Sequence, residues 1–159
     1  MADGGTYRAV FLRMHPTGKV VLSLSEASQG KEADLAAIAA AELGIPPEDI
    51  KVVHEDTDRF GEGNSFDSQP SDAVGENVAI TAARLRDKAQ IVAGSMLEAS
   101  PDELRFENGR WTAEGGDPEG VRIQEVSAHT FGGFELPEGI EGSLDAQTTY
   151  RVDAVQAAG

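Results

Sequence analysis

The stretch from Asp72 to Glu98, "DAVGENVAITAARLRDKAQIVAGSMLE", decides the fold. Val74, Val78, Ala82, Leu85, Ala89, Val92 and Met96 recur at steps of three and four, the spacing that stacks side chains on one helix face. It predicts a helix of about 25 residues and about 37 Å, with Ser71 or Asp72 as N-cap. A helix that long, apolar along one stripe, should run across a whole sheet face.

The residues before it supply a sheet. Tyr7 to Met14 is rich in strand formers, His15-Pro16-Thr17-Gly18 is a turn, and Val20, Leu22 and Leu24 alternate with smaller or polar residues. This predicts a β-hairpin with a half-buried second strand. Ser25 to Gly30 is a small, polar loop. Glu32 to Leu43 keeps Leu35, Ile38, Ala39 and Leu43 on one face, with Glu42 on the flank. Gly44 stands at the C′ position of that helix, and Pro46-Pro47 forbid its continuation. Ile50 to His54 reads as a short strand, so strand, helix and strand suggest a right-handed crossover onto one sheet. Glu55 to Asp72 is a long loop, a feature that is functional or disordered in compact domains.

Beyond the long helix, Ser100-Pro101-Asp102-Glu103 fits a capping box with proline at its first helical position. Leu104 to Glu107 and Arg110 to Ala113 flank Asn108-Gly109, the signature of a type I′ hairpin. Val121 to Ile123 begins another segment, Gln124 to Ala128 reads as a helical turn, and Thr130 to Gly142 as a Gly/Pro-rich loop. Thr148, Tyr150 and Val152 alternate as a last strand, and residues 154–159 read as a frayed tail. There is no internal repeat. The expected fold is α+β: residues 1–159 as a single domain, a mixed β-sheet carrying a long and a shorter helix, in β-β-α-β-α-β-β-α-β order.

The chain has 159 residues, a net charge of −15 and no cysteine. That length can bury roughly 70% of the unfolded surface, so no staple is needed. The absence of cysteine excludes disulfides, zinc–thiolate sites, cysteine-ligated iron–sulfur clusters and thiol nucleophiles. The charge argues against nucleic acid or an anionic membrane as partner, because a basic face cannot be assembled from these residues. No apolar run approaches the ~20 residues that span a bilayer, and Met1 to Gly5 has no signal-peptide features. Cytoplasmic is the default reading. High-salt adaptation, solubilisation or an acidic docking face could each explain the charge, and composition does not choose among them.

Chemistry-bearing patterns are sparse. His15, His54 and His129 fall in a turn, a strand and a loop, and there is no Gly-x-Ser-x-Gly elbow, so no catalytic residues are assigned. Asp56-Thr57-Asp58-Arg59-Phe60-Gly61 starts like a calcium loop. Phe60 lacks an oxygen, however, and Asp67 stands where a bidentate glutamate belongs, so no metal site is assigned. Gly61-Glu62-Gly63 places a carboxylate where an anion would sit. Gln29-Gly30, directly before a helix, is better placed for an anion, although an ordinary helix entry reads the same way. Trp111, Phe106, Phe131 and Phe134 are too scattered for a stacking platform.

Three longer stretches resemble a known family. They are Arg13-Met14-His15-Pro16-Thr17-Gly18-Lys19-Val20, then "AAELGIPPEDIKVVHEDTD" from Ala40, and "AARLRDKAQIVAGSMLEASPDELRFENGRW" from Ala82 to Trp111. From about Val10 to about Tyr150 the chain resembles the molybdopterin-binding large subunit of the molybdenum hydroxylases, the family of carbon monoxide dehydrogenase, aldehyde oxidase and xanthine dehydrogenase. Such subunits are several times longer. The resemblance implies one segment of an oxidoreductase subunit, with a molybdenum cofactor on a pyranopterin and with other segments or subunits as partners.

Two family motifs fall inside the segment. A Gly-Gln-Gly-His-Glu-Thr motif corresponds to Ser28-Gln29-Gly30-Lys31-Glu32-Ala33, where Gln29, Gly30 and Glu32 match. A Gly-Thr-Tyr-Gly-Ser-Arg-Ser-Thr motif corresponds to residues 64–71, where Ser68 matches and Ser65 is a near-equivalent. The resemblance therefore implies Gln29, Gly30, Glu32, Ser65 and Ser68 as cofactor-binding residues. Asn64 and Asp67 replace glycines and Gln69 an arginine, which weakens the case for pyrophosphate there. The family's glutamate base lies in a glycine-rich motif not found here, and the substrate-side cysteine of carbon monoxide dehydrogenases is absent. Alone, the chain should not turn over. The alternative is an engineered or repurposed soluble domain with this fold and no cofactor.

Overall fold

A computed structural model describes residues 5–25, 31–54, 72–132, 136–140 and 142–153. Strand β1 (Gly5–Met14) turns through His15 to Lys19 into β2 (Val20–Leu24), antiparallel to it. The turn is closed by His15 N–H to Lys19 O and Gly18 N–H to His15 O, each 2.8 Å. Helix α1 (Glu32–Leu43) follows, and Gly44, at φ 69°, ends it in the left-handed conformation expected of a C′ glycine. A 3-10 turn, Pro47–Asp49, leads into β3 (Ile50–His54), which pairs parallel with β2. Helix α2 is Asp72–Leu97, 26 residues.

A second 3-10 turn, Pro101–Glu103, is closed by the Glu103 carboxylate accepting the Ser100 N–H at 3.2 Å. Strands β4 (Leu104–Glu107) and β5 (Arg110–Ala113) then pair across Asn108 (φ 53°) and Gly109 (φ 76°), both left-handed as a type I′ turn requires. Strand β6 (Val121–Arg122), helix α3 (Ile123–Gly132) and strand β7 (Leu144–Asp153) complete the order.

The strands form two sheets, β3-β2-β1-β7 and β4-β5-β6. The first is mixed, and α1 and α2 cover one of its faces. Val10, Leu12 and Met14 of β1 and Val20, Leu22 and Leu24 of β2, all of one parity, are essentially buried. Against them pack Leu35, Ala39 and Leu43 of α1 and Val74, Val78, Ala82, Leu85, Ala89 and Val92 of α2. The apolar stripe that predicts the long helix is thus the stripe it buries, except that Met96 is only partly covered.

Three details depart from the expectation. Val121–Arg122 adds a short strand before the last helix, in a separate sheet. The helical turn expected at Gln124 to Ala128 is a ten-residue helix, Ile123–Gly132, reaching into the stretch read as a loop. Its buried Thr130 returns its hydroxyl to Val126 O at 2.7 Å, and its buried Ser127 donates toward Met14 O (3.1 Å) and His15 O (2.9 Å). The last strand begins at Leu144, because β1 offers ten residues to pair with, from Met14↔Leu144 to Gly5↔Asp153. The expected tail, residues 154–159, and a Ser71 cap lie outside the described residues.

Candidate functional site

Strands β2 and β3 run parallel and end side by side, with Leu24 opposite His54. In open α/β sheets ligands gather outside the carboxyl ends of such strands. Helix α1 begins at the same end, at Glu32. Its N-cap, Lys31, makes no side-chain cap hydrogen bond to the first-turn N–H groups.

Helix α2 opens at this end too. It runs antiparallel to β7: Thr81 Oγ1 meets Thr148 Oγ1 at 2.8 Å, Arg84 donates to Gln147 O at 3.2 Å, and Lys88 to Ser143 O at 2.6 Å. It also runs with α1. A Cβ added at Gly75 would lie 3.4 Å from Ile38 Cδ1, and further on Arg86 pairs with Glu42 at 2.7 Å. Two helix N-termini, each the positive end of a dipole, therefore flank one end of the sheet.

The side chains at that end are polar. Glu32 Oε2 lies 3.9 Å from His54 Nε2, an exposed and loose pair. Ser25 accepts the Ala9 N–H on its hydroxyl at 2.7 Å, tying the end of β2 to β1. Arg8 shares its parity with Val10, Leu12 and Met14, so it points to the helix-covered face. Its Nε is buried and finds no hydrogen-bond partner among the described residues. In contrast, Arg13, of opposite parity, is on the open face and pairs with Asp145 at 3.3 Å.

Of the residues singled out in the sequence, Glu32 is described and stands at this end, while Gln29, Gly30, Ser65 and Ser68 lie outside the described residues. So do Gly61-Glu62-Gly63, the stretch resembling a calcium loop, and Phe134. His15 and His54 are at opposite ends of the β1–β2–β3 sheet, so the histidines do not form one cluster. No group of three or more His, Asp or Glu that could hold a metal ion occurs among the described residues. Trp111 is fully buried, 4.5 Å from Phe106 ring to ring, and its Nε1 donates to Gln90 Oε1 at 3.0 Å, which makes it a core anchor. Arg8 is the residue that sequence reading missed. Its signal is an arginine falling in step with the buried residues of a strand.

At the far end of α2, Glu98, Asp102, Glu103 and Glu114 line an open cleft. Its carboxylates would repel an anionic ligand.

The fold is an α+β domain in which two helix N-termini and the half-buried Arg8, its Nε enclosed, gather at one end of the mixed sheet. The chain belongs to the molybdopterin cofactor-binding domain family, whose family model matches residues 2–159. It is 29% identical over 149 residues to the carbon monoxide dehydrogenase large chain of Hydrogenophaga pseudoflava, covering 92% of this chain and 18% of the relative. It is 36% identical over 132 residues to the 6-hydroxypseudooxynicotine dehydrogenase complex subunit gamma of Paenarthrobacter nicotinovorans, covering 82% of this chain and 16% of that one. A crystal structure of Cu,Mo-CO dehydrogenase superposes with a TM-score of 0.72 at 28% identity, over 90% of this chain and 18% of that chain. The chain therefore spans less than a fifth of the length of these relatives.

The described residues fit the anionic part of such a cofactor. The buried Arg8 Nε has no acceptor among the described residues, and Lys31 gives α1 no side-chain cap. Glu32 and Asp34 in the first turn of α1 work against an anion, although Glu32 is turned to His54. Among the described residues no helix is long and apolar enough to cross a membrane.

Proposed function

We propose that this chain is one domain of a larger molybdenum-dependent oxidoreductase subunit, that it contacts the cofactor, and that it is not catalytic by itself. The observation that carries this reading is the placement of Glu32 and the openings of α1 and α2 at one end of the sheet, beside Arg8, whose buried Nε has no partner among the described residues. Within it, Gln29, Gly30, Glu32, Ser65 and Ser68 are the cofactor-contacting positions that the motifs support, and Arg8 and the α1 N–H groups hold the anionic portion. When bound, the cofactor supplies two-electron redox chemistry; the chain's own part is to orient that group and neutralise its charge. The remaining segments or subunits of the oxidoreductase supply the substrate pocket and the base.

The test is metal analysis by mass spectrometry on protein purified from a molybdenum-replete host, with pterin fluorescence on the same sample. Stoichiometric molybdenum and pterin are expected. A folded protein carrying neither would overturn the reading and leave a repurposed domain that keeps the fold without the cofactor.

A further inference from the structure

Strand β7 is the last strand of the four-stranded sheet, and no strand pairs with its outer side among the described residues. Which of its backbone groups face outward follows from β1. The Ala9 N–H donates to Ser25 Oγ and Ala9 O accepts the Ser25 N–H, so the backbone of Ala9 turns toward β2. Direction alternates along a strand, so Val10, Leu12 and Met14 turn theirs toward β7, where they meet Thr148, Ala146 and Leu144. The residues between, Asp145, Gln147 and Thr149, therefore aim their N–H and C=O groups away from the sheet. A ten-residue edge of this kind is a template for another strand.

Helix α2 reaches over that edge. Arg84 donates to Gln147 O at 3.2 Å and Lys88 to Ser143 O at 2.6 Å, and both carbonyls have the outward parity. The chain has 28 Asp and Glu against 13 Lys and Arg, so carboxylate partners are abundant. Two cations on successive turns are nevertheless committed to neutral carbonyls of one strand edge. Each takes an acceptor that an incoming strand would need and sets a long side chain in its way. One turn before Arg84, on the same flank of α2, Ile80 is 44% exposed, an apolar side chain beside the edge. Apolar surface next to unpaired backbone favours association.

We propose that Arg84 and Lys88 are edge guards, which keep β7 from pairing antiparallel with β7 of a second copy of this chain. A second copy is the fitting partner, because its edge has the same length and the same alternation of N–H and C=O groups. With the guards in place, such a pair would also bring two cations from each copy to one seam, a like-charge contact. The guards act whether or not a cofactor is bound.

The test is sedimentation velocity of the whole chain across a range of concentrations, with amide hydrogen exchange on the same samples. Wild type should remain monomeric. The double variant Arg84→Met, Lys88→Met keeps the stems and removes the donors. It should self-associate at least about 10-fold more tightly than wild type, the scale of one charge-assisted hydrogen bond. Its Gln147 and Thr149 amides, which should exchange freely in wild type, should become protected as it associates. Adding Thr149→Pro should return the double variant to a monomer, since proline is tolerated on an edge strand but offers no N–H to a new partner. Arg84→Lys keeps a charged donor and should stay monomeric. Arg105→Met removes a cation from β4, in the other sheet, and should also stay monomeric, which separates edge capping from net charge.

Should the double variant not fold, Arg84→Met alone is read in the same way, because the bond it loses is exposed. A folded variant that stays monomeric would overturn the proposal and leave the two bonds as simple ties between helix and strand. So would association that leaves the Gln147 and Thr149 amides unprotected, or a wild type that already pairs through them.

Discussion

At the C-terminal end of α1, Gly44 and Gly109 press backbone to backbone. A Cβ on Gly44 would lie 2.1 Å from Gly109 N, and one on Gly109 would lie 2.4 Å from Gly44 O. Gly109 O also accepts the N–H of Ile123 at 2.8 Å, so the end of α1, the β4–β5 turn and the start of α3 meet at one point. Close by in the fold, Gln90 joins the indole of Trp111 to Pro101 O, at 3.0 and 2.8 Å. At the N-terminal end of α1 the pattern inverts. Lys31 gives no side-chain cap, Glu32 and His54 approach only to 3.9 Å, and Arg8 keeps a buried donor without a described partner. One end of the helix layer is closed by tight internal contacts, and at the other the contacts among the described residues are looser. A group already satisfied within the protein has nothing to offer a ligand, so the tight end is the less suited of the two to binding.

The contrast can be broken first at its tightest point. Gly109→Ala puts a Cβ into Gly44 O and an L-residue at φ 76°, so a loss of about 2–5 kcal/mol is expected, read as a lower urea midpoint with an unchanged slope. Gln90→Ala, which strands the Trp111 N–H, should cost about 1–3 kcal/mol and change the tryptophan near-UV circular dichroism. The open end should respond with the opposite sign. Lys31→Ser supplies the missing side-chain cap and should stabilise by about 0.5–1 kcal/mol, a rise of about 1–4 °C in melting temperature. If Lys31→Ser destabilised the chain, the N-terminal end of α1 would not be the under-satisfied one, and the comparison would fail.

What could be read from the sequence follows the same division between local and distant causes. The stripe from Val74 to Met96, the Gly44 stop and the Asn108-Gly109 turn are decided within a few residues, so spacing and turn chemistry are enough to find them. Helix α3 outruns its expected bounds because Ser127 and Thr130 are buried against carbonyls, two of which belong to the distant end of β1 and the turn after it. The early start of β7 and the separation of β6 into a second sheet depend on which strands find each other, and no local signal encodes that. The candidate site was half visible. Its family motifs name Glu32, while Arg8 needed the register of β1 with β2 and β7 to place it beneath α2.

The pairing of β1 with β7 runs from Met14↔Leu144 to Gly5↔Asp153. The first and last described residues are thus direct neighbours on adjacent strands. Any polypeptide flanking this segment would enter and leave through a single doorway, with the folded unit hanging from it like a bead on a loop. A longer chain could carry such a unit without threading through it, and could gain or shed it with little disturbance to the architecture on either side.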